Sequence, residues 1–356
     1  MELPKLNHKK AFTKKLLEWD AYDNHRQMPW KGEKDPYKVW ISEIILQQTR
    51  VEQGLKYYHR FIAAFPDISS LASAPEKKVF KLWQGLGYYT RCRNMIYTAQ
   101  YIQNSLGGKF PDDYASILKL KGIGSYTASA IASFVYSLPH AAVDGNVYRV
   151  LSRYFGIETP TDSLQGKKMY ALVAEELMDK SKPGIYNQAI MDFGATVCKP
   201  ASPACIACPL KKYCSAYYNN MVHSLPVKSK KLKNRVRHCS YIVFNYGKKY
   251  YLRKRDEKDI WRGLYEFFLV ETGRAVASEE LLASATFRDT IGDNHYEVVD
   301  VSDEFSQQLT HQTIRGRFIR IRIQAPLPVE SSLKLYSEKQ IERLPFPKFI
   351  SSYLED

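Results

Sequence analysis

The sequence is poor in acidic side chains and in long apolar runs, and both deficits narrow the class of protein. Its 356 residues include 52 lysines and arginines but only 37 aspartates and glutamates, so the formal net charge is +15. A soluble protein this basic usually binds a polyanion, which predicts nucleic acid or an anionic membrane surface as the partner. No run of about 18 apolar residues is present, so no transmembrane helix is expected.

The sequence also lacks a signal peptide, because residues 1–20 have no apolar core and are patterned as an amphipathic helix. A reducing compartment is therefore expected, and we predict a cytoplasmic protein, associated with the nucleoid if it is bacterial. Cysteine is scarce and unevenly placed: four of the six lie between Cys198 and Cys214, while Cys92 and Cys239 stand alone. This clustering predicts a local metal site rather than a disulfide framework.

The length and the apolar patterning predict two domains. Residues 1–225 carry a 3.6-residue apolar period, as in 39–46, and are predicted to be nearly all helix. Residues 226–237 are rich in lysine and arginine and are predicted to be a linker, either on a DNA-facing surface or as a charged tether. Residues 238–356 follow a period of two and are predicted to form a smaller α+β domain.

Two segments of this last region are patterned as strands. Residues 240–244 and 250–253 flank Asn245-Tyr246-Gly247, which predicts a hairpin. Residues 317–323 alternate apolar and basic side chains over most of their length, as a half-buried strand does.

The four clustered cysteines follow the spacing Cys198-x6-Cys205-x2-Cys208-x5-Cys214. Four thiolates this close in sequence are able to close a loop around one metal centre. Zinc ribbons usually pair two Cys-x-x-Cys knuckles, and only one is present here, whereas a cubane [4Fe–4S] cluster fits uneven spacing. Spacing alone leaves zinc open, and two disulfides would conflict with a reducing compartment.

A glycine-rich turn at residues 120–128 lies between two helical stretches. Gly122 and Gly124 let the backbone turn tightly and approach a phosphate, and the following helix begins with free N–H groups. A Gly-x-Gly pair by itself is more often a plain loop. A functional role for this turn is supported by the segment that follows it, residues 143–150.

Two carboxylates stand out because their surroundings differ. Glu43 is a lone acid in the apolar run 40–46, and burial raises the pKa of a carboxyl group, which suits a general acid near neutral pH. Asp144 precedes the helix predicted for residues 147–155, where an aspartate is ordinarily an N-cap and where the helix N-terminus favours its charged form. Cleavage of a glycosidic bond needs such a pair, because one group protonates the leaving group and the other stabilises an oxocarbenium-like sugar.

Several of these segments resemble one family of DNA glycosylases. The cysteine spacing is similar to the iron–sulfur loop of the endonuclease III and MutY enzymes, and residues 120–128 with 143–150 resemble the signature of the helix–hairpin–helix glycosylase superfamily. Residues 39–49 closely resemble the MutY motif. The resemblance implies a mainly α catalytic region, residues 1–225, with a [4Fe–4S] cluster loop at 198–214 that serves structure and DNA docking.

The resemblance also implies roles for individual residues. Glu43 takes the place of the glutamate that protonates adenine N7 and helps to activate water, and Asp144 that of the aspartate that stabilises the sugar or bonds to it transiently. Asn146 lies in the same stretch and joins the catalytic set. Tyr126 stands where bifunctional glycosylase/lyases have a nucleophilic lysine, which predicts a monofunctional enzyme that leaves an abasic site.

Base recognition is assigned to residues that match the family's contacts. Such enzymes flip the target base into a pocket, fill the gap and read the opposite base. The matching residues are Arg26, Trp30, Leu46 and Gln188 for the adenine pocket, Gln48, Thr49, Leu86 and Tyr88 for the wedge and the opposite 8-oxoguanine, and Lys121, Gly122 and Gly124 for DNA phosphates. Lys121 replaces the family's usual proline. Without the match, Trp30, Leu86 and Tyr88 would be predicted as core residues.

Residues 261–267 resemble the Nudix-like module of the MutY enzymes, which implies that residues 238–356 form a Nudix-like lesion-recognition domain. The Glu-rich metal-binding helix of true Nudix hydrolases is missing from the sequence, so nucleotide hydrolysis is not expected. The family inspects 8-oxoguanine with a Phe-Ser-His loop. The counterpart here is Leu309-Thr310-His311, which keeps a hydroxyl and the histidine but loses the aromatic ring.

The sequence therefore predicts a monomeric, monofunctional adenine glycosylase of base-excision repair that acts on double-stranded DNA with A:8-oxoguanine or A:G pairs and binds no membrane. A bifunctional pyrimidine glycosylase/lyase is the second hypothesis, which Tyr126 and the extra domain oppose. A non-catalytic DNA-binding protein with a redox or zinc switch is the third. The presence of both Glu43 and Asp144 opposes it.

Overall fold

The computed structural model describes residues 6–229, 234–256, 259–328 and 332–356. The chain before the linker is helical, as predicted. Its helices are α1 (Lys9–Tyr22), α2 (Pro36–Leu46), α3 (Val51–Ala64), α4 (Ile68–Ala72), α5 (Glu76–Trp83), α6 (Tyr89–Ser105), α7 (Tyr114–Lys119), α8 (Ser125–Phe134), α9 (Gly145–Phe155), α10 (Leu164–Leu177), α11 (Pro183–Thr196) and α12 (Ser215–Tyr218). The predicted amphipathic helix near the N-terminus is α1, which buries Phe12, Leu16 and Trp19.

Capping residues set the starts of the helices that frame the site. Asp35 accepts a hydrogen bond from the Tyr37 N–H at 2.9 Å, and Pro36 occupies the first helical position of α2. Asp144 caps α9, which ends at Gly156 with φ of 67°, a left-handed conformation that glycine adopts without steric cost. Local sequence signals therefore place α2 and α9, the two elements that hold the predicted catalytic carboxylates.

Helices α1, α9, α10 and α11 share one apolar core. Trp19 of α1 meets Phe193 of α11 edge to face, with ring centroids 5.0 Å apart. Leu151 of α9 and Tyr170 of α10 are fully buried in the same cluster. Packing therefore fixes α11 against α9 and α1, and α11 carries side chains that face the cleft described below.

The region after the linker is an α+β domain, as predicted. Its strands are β1 (Arg235–Tyr246), β2 (Lys249–Lys254), β3 (Tyr265–Glu266), β4 (Phe268–Thr272), β5 (Tyr296–Val301), β6 (Phe305–Gln308), β7 (Gln312–Gly316), β8 (Phe318–Ile323) and β9 (Lys334–Ser337). Its helices are α13 (Ser278–Leu282), α14 (Ala285–Ile291), α15 (Glu338–Ile341) and α16 (Lys348–Glu355). β1 pairs antiparallel with β2 and β4 and parallel with β7 and β8, so the sheet is mixed.

The predicted hairpin is present, but its turn lies later than expected. Asn245 pairs with Tyr250 and Tyr246 with Lys249, so the strands continue through two residues predicted as turn and reverse at Gly247 and Lys248. β1 also begins earlier than predicted, at Arg235, within the segment assigned to the linker. Pairing with β7 places these first basic residues of β1 in the sheet, although their composition predicted a linker.

The start of the predicted linker is docked rather than free. The Thr161 N–H donates to the Val227 carbonyl at 3.1 Å, and the Ser229 N–H donates to Asp162 at 2.9 Å. Residues 230–233, with three of the linker's basic side chains, lie outside the described residues. None of the described helices combines the length and the apolar character needed to cross a membrane.

The chain divides into two compact units. The first unit comprises Met1–Ser73 and Asn94–Lys231, and the second comprises Ala74–Arg93 and Leu232–Asp356. The second unit therefore includes α5 and the turn after it, which the sequence pattern grouped with the other helices. Lys81 donates to the Leu344 carbonyl at 3.0 Å, and Gln84 accepts from the Phe346 N–H at 3.2 Å. A helical period reveals which face is buried but not which partner covers it.

Candidate active site

A cleft of about 650 Å³ in the first unit brings together most of the predicted catalytic and adenine-pocket residues. The predicted residues that line it are Arg26, Trp30, Glu43, Leu46, Gln48, Thr49, Gly122, Gly124, Tyr126, Asp144, Asn146 and Gln188. They come from α2, α8, α9, α11 and the loops that flank them. Segments far apart in sequence thus converge on one concave surface, as an enzyme site requires.

Glu43 lies on α2 among apolar side chains and is 5% exposed. Burial raises its pKa to about 7, a hydrogen bond with Tyr126 acts in the opposite direction, and the nearby Asp144 carboxylate adds to the rise. The sequence analysis expected a carboxyl group with a raised pKa at this position, and the structure has one. A carboxyl group with this pKa is able to donate or accept a proton near neutrality.

Tyr126 is in the first turn of α8, and its side chain reaches the Glu43 carboxyl group. Burial raises the pKa of Tyr126 well above its usual range, and the carboxylates of Glu43 and Asp144 raise it further. The phenol therefore stays neutral and serves as a hydrogen-bond partner rather than as a base. Among the residues that the structure describes, no lysine lines the cleft.

Asp144 is held by three hydrogen bonds at the start of α9. Its Oδ1 accepts from the N–H groups of Asn146 and Val147, both at 2.8 Å, and its Oδ2 accepts from the Asn146 amide at 2.7 Å. The sequence analysis expected the helix N-terminus to favour the charged form. The structure corrects this expectation, because burial raises the pKa of Asp144 and outweighs the hydrogen bonds that lower it.

Asn146 is positioned between Asp144 and a buried arginine. Its amide nitrogen donates to Asp144, and its amide oxygen accepts from Arg149 at 2.8 Å. Arg149 also donates to the carbonyls of Gly194 and Cys198, both at 2.7 Å. A side chain at Gly194 would meet the Asn146 Cβ at 2.6 Å, so glycine is required for this close approach. Arg149 was not among the predicted site residues, although a cation on the apolar face of a helix is a signal visible in the sequence.

The wall of the predicted adenine pocket is formed by an irregular loop and by α11. Trp30 is buried, as its core alternative predicted, yet its ring borders the cleft and meets Tyr58 edge to face, with centroids 5.3 Å apart. Gln188 faces the cleft from α11, and so does Asp192, one turn further along. The sequence analysis did not identify Asp192.

The glycine-rich turn forms the hairpin between α7 and α8. Gly122 has φ of 83°, and a Cβ there would meet the Asn94 Cβ at 2.7 Å, so the turn depends on glycine. Gly124 has an ordinary φ and open space around it, so its missing side chain serves access to the start of α8 rather than the turn itself. Lys121 is exposed and does not line the cleft, and its ammonium lies 4.2 Å from the centre of the Tyr97 ring.

The four clustered cysteines are partly buried and free, so the two-disulfide alternative is not the arrangement found. Arg153 of α9 is buried behind them. It donates to the Cys198 sulfur at 3.5 Å and to the Lys199 carbonyl at 2.8 Å, while its own carbonyl accepts from the Cys214 thiol at 3.5 Å. Burial raises the pKa of Cys208 to about 12.

The loop supplies four thiols as possible metal ligands. Within the described ranges, no three histidine, cysteine, aspartate or glutamate side chains are gathered closely enough to share one metal ion. A structural zinc ion needs four ligands that converge at about 2.3 Å from one point. A cubane spreads its four thiolate ligands over four irons, so its sulfurs lie farther apart. Four thiolates are the ligand set that a cubane takes.

Of the predicted wedge and lesion-reading residues, Gln48 and Thr49 line the cleft of the first unit, whereas Leu86, Tyr88, Thr310 and His311 belong to the second unit. The Tyr88 hydroxyl and the Thr310 hydroxyl are 2.5 Å apart and share a hydrogen bond. Thr310 and His311 are exposed in the turn between β6 and β7. Tyr88 is exposed, whereas Leu86 is only 7% exposed, so the core alternative holds for Leu86 and not for Tyr88.

Tyr88 and Gln48 also have unusual backbone conformations. Their φ angles are 49° and 58°, in the left-handed region that side chains other than glycine rarely adopt. Such conformations cost about 1–3 kcal/mol each and persist only where the surrounding structure imposes them, most often at functional sites. One strained residue lies at the cleft and the other at the Thr310 turn.

Comparison with known families places this architecture in a class. Residues 41–175 match the family described as HhH-GPD superfamily base excision DNA repair protein, and residues 239–356 match the NUDIX domain. The hairpin, the enclosed carboxyl groups and the matched segment together define a helix–hairpin–helix protein of base-excision DNA repair with a Nudix-like domain.

Full-length relatives narrow the class further. The adenine DNA glycosylase of Buchnera aphidicola subsp. Baizongia pistaciae (strain Bp) is 35% identical over 306 residues, which cover 85% of this chain and 84% of that protein. The human adenine DNA glycosylase is 40% identical over 58% of this chain and 39% of its own length. The solved structure of a thermostable thymine-DNA glycosylase matches with a TM-score of 0.55 and 30% identity, covering 59% of this chain and 97% of that one. The chain belongs to the adenine DNA glycosylase, or MutY, family, and its activity is that of a DNA glycosylase in base-excision repair.

Proposed function

We propose that the chain, as a monomer on double-stranded DNA, hydrolyses the N-glycosidic bond of adenine paired with 8-oxoguanine or guanine and leaves an abasic site. The observation that carries the proposal is the arrangement of Glu43, Tyr126 and Asp144 in one cleft. Glu43 has a pKa of about 7, a hydrogen bond with a neutral phenol and a carboxylate nearby. This combination is what acid-assisted departure of a base needs.

In the proposed reaction Glu43 gives its proton to N7 of the flipped adenine. The bond between the sugar C1′ and N9 breaks, its electron pair leaves with the base, and a positive charge develops on the sugar. Asp144 stabilises that charge from its position at the start of α9. Water then attacks C1′ and returns a proton to the Glu43 carboxylate, which restores the starting state. Tyr126 and Asn146 orient the two carboxyl groups through the hydrogen bonds described above.

The enzyme is proposed to be monofunctional, with no lyase activity, because Tyr126 takes the place of a nucleophilic lysine. An A:8-oxoguanine duplex incubated with the protein should release adenine, and its strand should break only after treatment with alkali. Borohydride should trap little covalent complex, because no lysine among the described residues lines the cleft to form a Schiff base. A C:8-oxoguanine duplex is the control that should stay intact. Efficient borohydride trapping by the parent protein would support the lyase hypothesis instead.

We also propose that Cys198, Cys205, Cys208 and Cys214 ligate a [4Fe–4S] cluster. When bound, the cluster supplies a rigid, charged fold element rather than a reactant, because the proposed hydrolysis transfers no electrons. Arg149 and Arg153 of α9 hold this loop through the Cys198 and Lys199 carbonyls. The loop's Lys199, Lys211 and Lys212 add positive charge for DNA phosphates.

The cluster proposal predicts the metal content. Anaerobically purified protein should be yellow-brown and contain about four irons and four sulfides per chain, since four cysteines hold one cubane. Iron and acid-labile sulfide assays with the visible spectrum measure this. Cys92→Ser is a matched control, because Cys92 is buried outside the cluster loop and should not change the iron content. Stoichiometric zinc with no visible absorbance would contradict the proposal.

Lesion reading is proposed for Tyr88, Thr310 and His311. 8-Oxoguanine has an N7–H donor where guanine has a lone pair, so a hydroxyl acceptor distinguishes the two bases. The hydrogen bond with Tyr88 fixes the orientation of the Thr310 hydroxyl within the second unit. His311 supports the turn through its carbonyl, which accepts from the Arg235 N–H at 3.1 Å.

This assignment predicts that substitutions in the turn reduce the preference for A:8-oxoguanine over A:G. Thr310→Ala with His311→Ala should weaken binding to A:8-oxoguanine more than to A:G, because one hydrogen bond to the lesion contributes about 1 kcal/mol. Affinities for both duplexes should be measured at one fixed salt concentration, since phosphate contacts make absolute values salt-dependent. Thr310→Ser, which keeps the hydroxyl, should retain the parental preference. Equal weakening for both duplexes would mean that the turn contacts only the DNA backbone.

Lys121 and the start of α8 are proposed to bind a DNA phosphate. The Lys121 carbonyl accepts from Thr98 at 2.8 Å, and its ammonium lies over the Tyr97 ring. Two adjacent residues of α6 therefore hold the hairpin with its charge toward solvent. The N–H groups at the start of α8 complete an anion-binding surface.

A further inference from the structure

A buried carboxylate that has no part in the proposed reaction lies in the wall of the cleft. Asp192 of α11 has no exposed surface, although it borders the same cleft as Glu43. An ionised carboxylate removed from water is stable only when charged or hydrogen-bonding groups surround it. The identity of those groups therefore indicates what the residue holds in place.

Among the described residues, the hydrogen-bond and ion-pair partners of the Asp192 carboxylate come from one short segment. Arg26 Nη1 lies 2.8 Å from Oδ1, Lys31 Nζ lies 3.3 Å from Oδ2, and Asn24 Nδ2 donates to Oδ2 at 3.0 Å. This segment connects α1 with α2 and contains no helix or strand. Because no helix or sheet hydrogen bonds run through it, its path depends strongly on side-chain contacts.

The end of α1 reinforces the same anchor. Asn24 Nδ2 also donates to Asp20 at 2.6 Å, and the Asn24 side-chain oxygen accepts from the Arg26 N–H at 3.2 Å. Lys31 lies 3.9 Å from Asp20. Two carboxylates thus face two cations across the segment, and the buried member of the set is Asp192. Two positive charges thus balance two negative charges, and this balance stabilises the ionised Asp192 carboxylate away from water.

The anchored segment is the one that carries two predicted base-contacting residues. Arg26 and Trp30 both border the cleft, and the Arg26 side chain is 24% exposed. Gln188 lies one helical turn before Asp192 on α11 and borders the cleft as well. One turn of α11 therefore carries a cleft-facing amide and the carboxylate that fixes the opposite loop.

We propose that Asp192 is a positioning residue for base recognition, which orients Arg26 and Trp30 toward the flipped base by holding residues 24–31. The proposal rests on the proposed function, because it takes adenine as the occupant of this cleft. Asp192 itself touches no reacting atom. A residue with only a structural role would affect every substrate alike, whereas a residue that orients the pocket wall affects the choice between bases.

The test compares two bases in the full-length, cluster-containing protein. Single-turnover excision is measured for adenine and for hypoxanthine, each opposite 8-oxoguanine, with the parent and with Asp192→Asn. Asparagine keeps the shape but removes the charge, so Arg26 and Lys31 lose their anion. We expect the adenine-to-hypoxanthine rate ratio to fall about tenfold, within the range that pocket contacts contribute to selectivity. Duplex affinity should stay near that of the parent.

Two further variants keep the proposal falsifiable if Asp192→Asn folds poorly. Asn24→Ala removes one donor to the carboxylate and should shift the ratio in the same direction by a smaller factor. Arg26→Met removes the cation that Asp192 orients, so adding Asp192→Asn to it should change the ratio little further. Glu176→Gln breaks the exposed Lys9–Glu176 pair of the same unit and should leave the ratio unchanged.

The outcomes separate this proposal from the proposed function. A parent protein that releases no adenine would refute the function itself. If the parent is active, an equal loss for both bases in Asp192→Asn and Asn24→Ala would overturn the positioning role. An unchanged ratio, or a combined Arg26→Met and Asp192→Asn effect equal to the product of the single effects, would overturn it as well.

Discussion

Glu43→Gln is expected to abolish adenine release while leaving the affinity for A:8-oxoguanine DNA near the parental value. Glutamine keeps the shape of the side chain and its hydrogen bond with Tyr126, but it has no proton to give. General acid catalysis typically contributes about 10²–10⁴-fold, so the single-turnover rate should fall at least about 100-fold. Quenched-flow excision and equilibrium binding on the same duplex measure the two quantities.

The matched control is Glu52→Gln, which makes the same chemical change on the exposed face of α3. Its rate should equal that of the parent. Excision by Glu43→Gln at close to the parental rate would remove Glu43 from the mechanism. A parallel loss of DNA affinity would instead assign it a binding role.

The raised pKa of Glu43 also predicts how the rate depends on pH. The proton donor is present below a pH of about 7 and is lost above it, so the rate should fall as the pH rises through that value. Single-turnover rates across this range, with duplex binding saturated at each pH, measure the effect. A rate that stays flat up to pH 9 would contradict this role.

The same pKa predicts a change in stability. The folded protein binds a proton more tightly at Glu43 than the unfolded chain does, so stability falls as the pH rises from 4.5, the ordinary pKa of a glutamate, to about 7. Above that range the ionised group should cost about 3 kcal/mol, given 1.36 kcal/mol for each pKa unit. Glu43→Gln should therefore raise the free energy of unfolding at pH 8 and change it little at pH 4.5. Denaturant unfolding at the two pH values tests this.

Asp144→Asn is expected to reduce adenine release by about 10²–10³-fold, the usual loss when one electrostatic contact to a transition state is removed. Asparagine caps helices as well as aspartate does, so α9 should still form. What changes is the charge that faces the developing sugar cation. The Asn146 amide nitrogen also loses its 2.7 Å acceptor, although its oxygen remains bound to Arg149.

The chain offers a close control for this substitution. Asp113 caps α7 by accepting from the Ser116 N–H at 2.9 Å, and it does not line the cleft. Asp113→Asn makes the same change at another helix start and should leave excision at the parental rate. Circular dichroism and thermal melting should agree for both variants. If Asp144→Asn loses activity only in proportion to a loss of folded protein, Asp144 is an N-cap and nothing more.

Local chemistry in the sequence determined the elements of the site. Asp144 was predicted to precede a helix, and the structure has α9 directly after it, beginning at Gly145 rather than at Val147. Glu43 is surrounded by apolar residues in the sequence, and that alone predicted its burial and raised pKa. These features depend on neighbours within a few residues, so they can be recognised without knowledge of the fold.

The two-residue alternation of the C-terminal region likewise predicted the strands β1, β2 and β8. It did not predict where the hairpin turns, because pairing between β1 and β2 decides that position. Nor did it predict that Arg235 begins a strand, since a basic residue at the start of a strand is not distinguishable in the sequence from one in a linker. Strand ends depend on partners that the alternation does not identify.

Only the tertiary structure decided which distant segments meet. The turn with Tyr88 belongs with Thr310 in the second unit, although 222 residues separate them. Asp192 pairs with Arg26 across 166 residues, and no local pattern marks that pair. Burial raises the pKa of Asp144, and burial depends on all the groups packed around the carboxyl group. The hydrogen bonds at the helix start that lower this pKa depend on only two neighbours in the sequence, Asn146 and Val147. Short-range hydrogen bonding and apolar periodicity can be predicted from the sequence, because they depend on residues that are close along the chain. Desolvation and long-range charge pairing arise only when the chain folds.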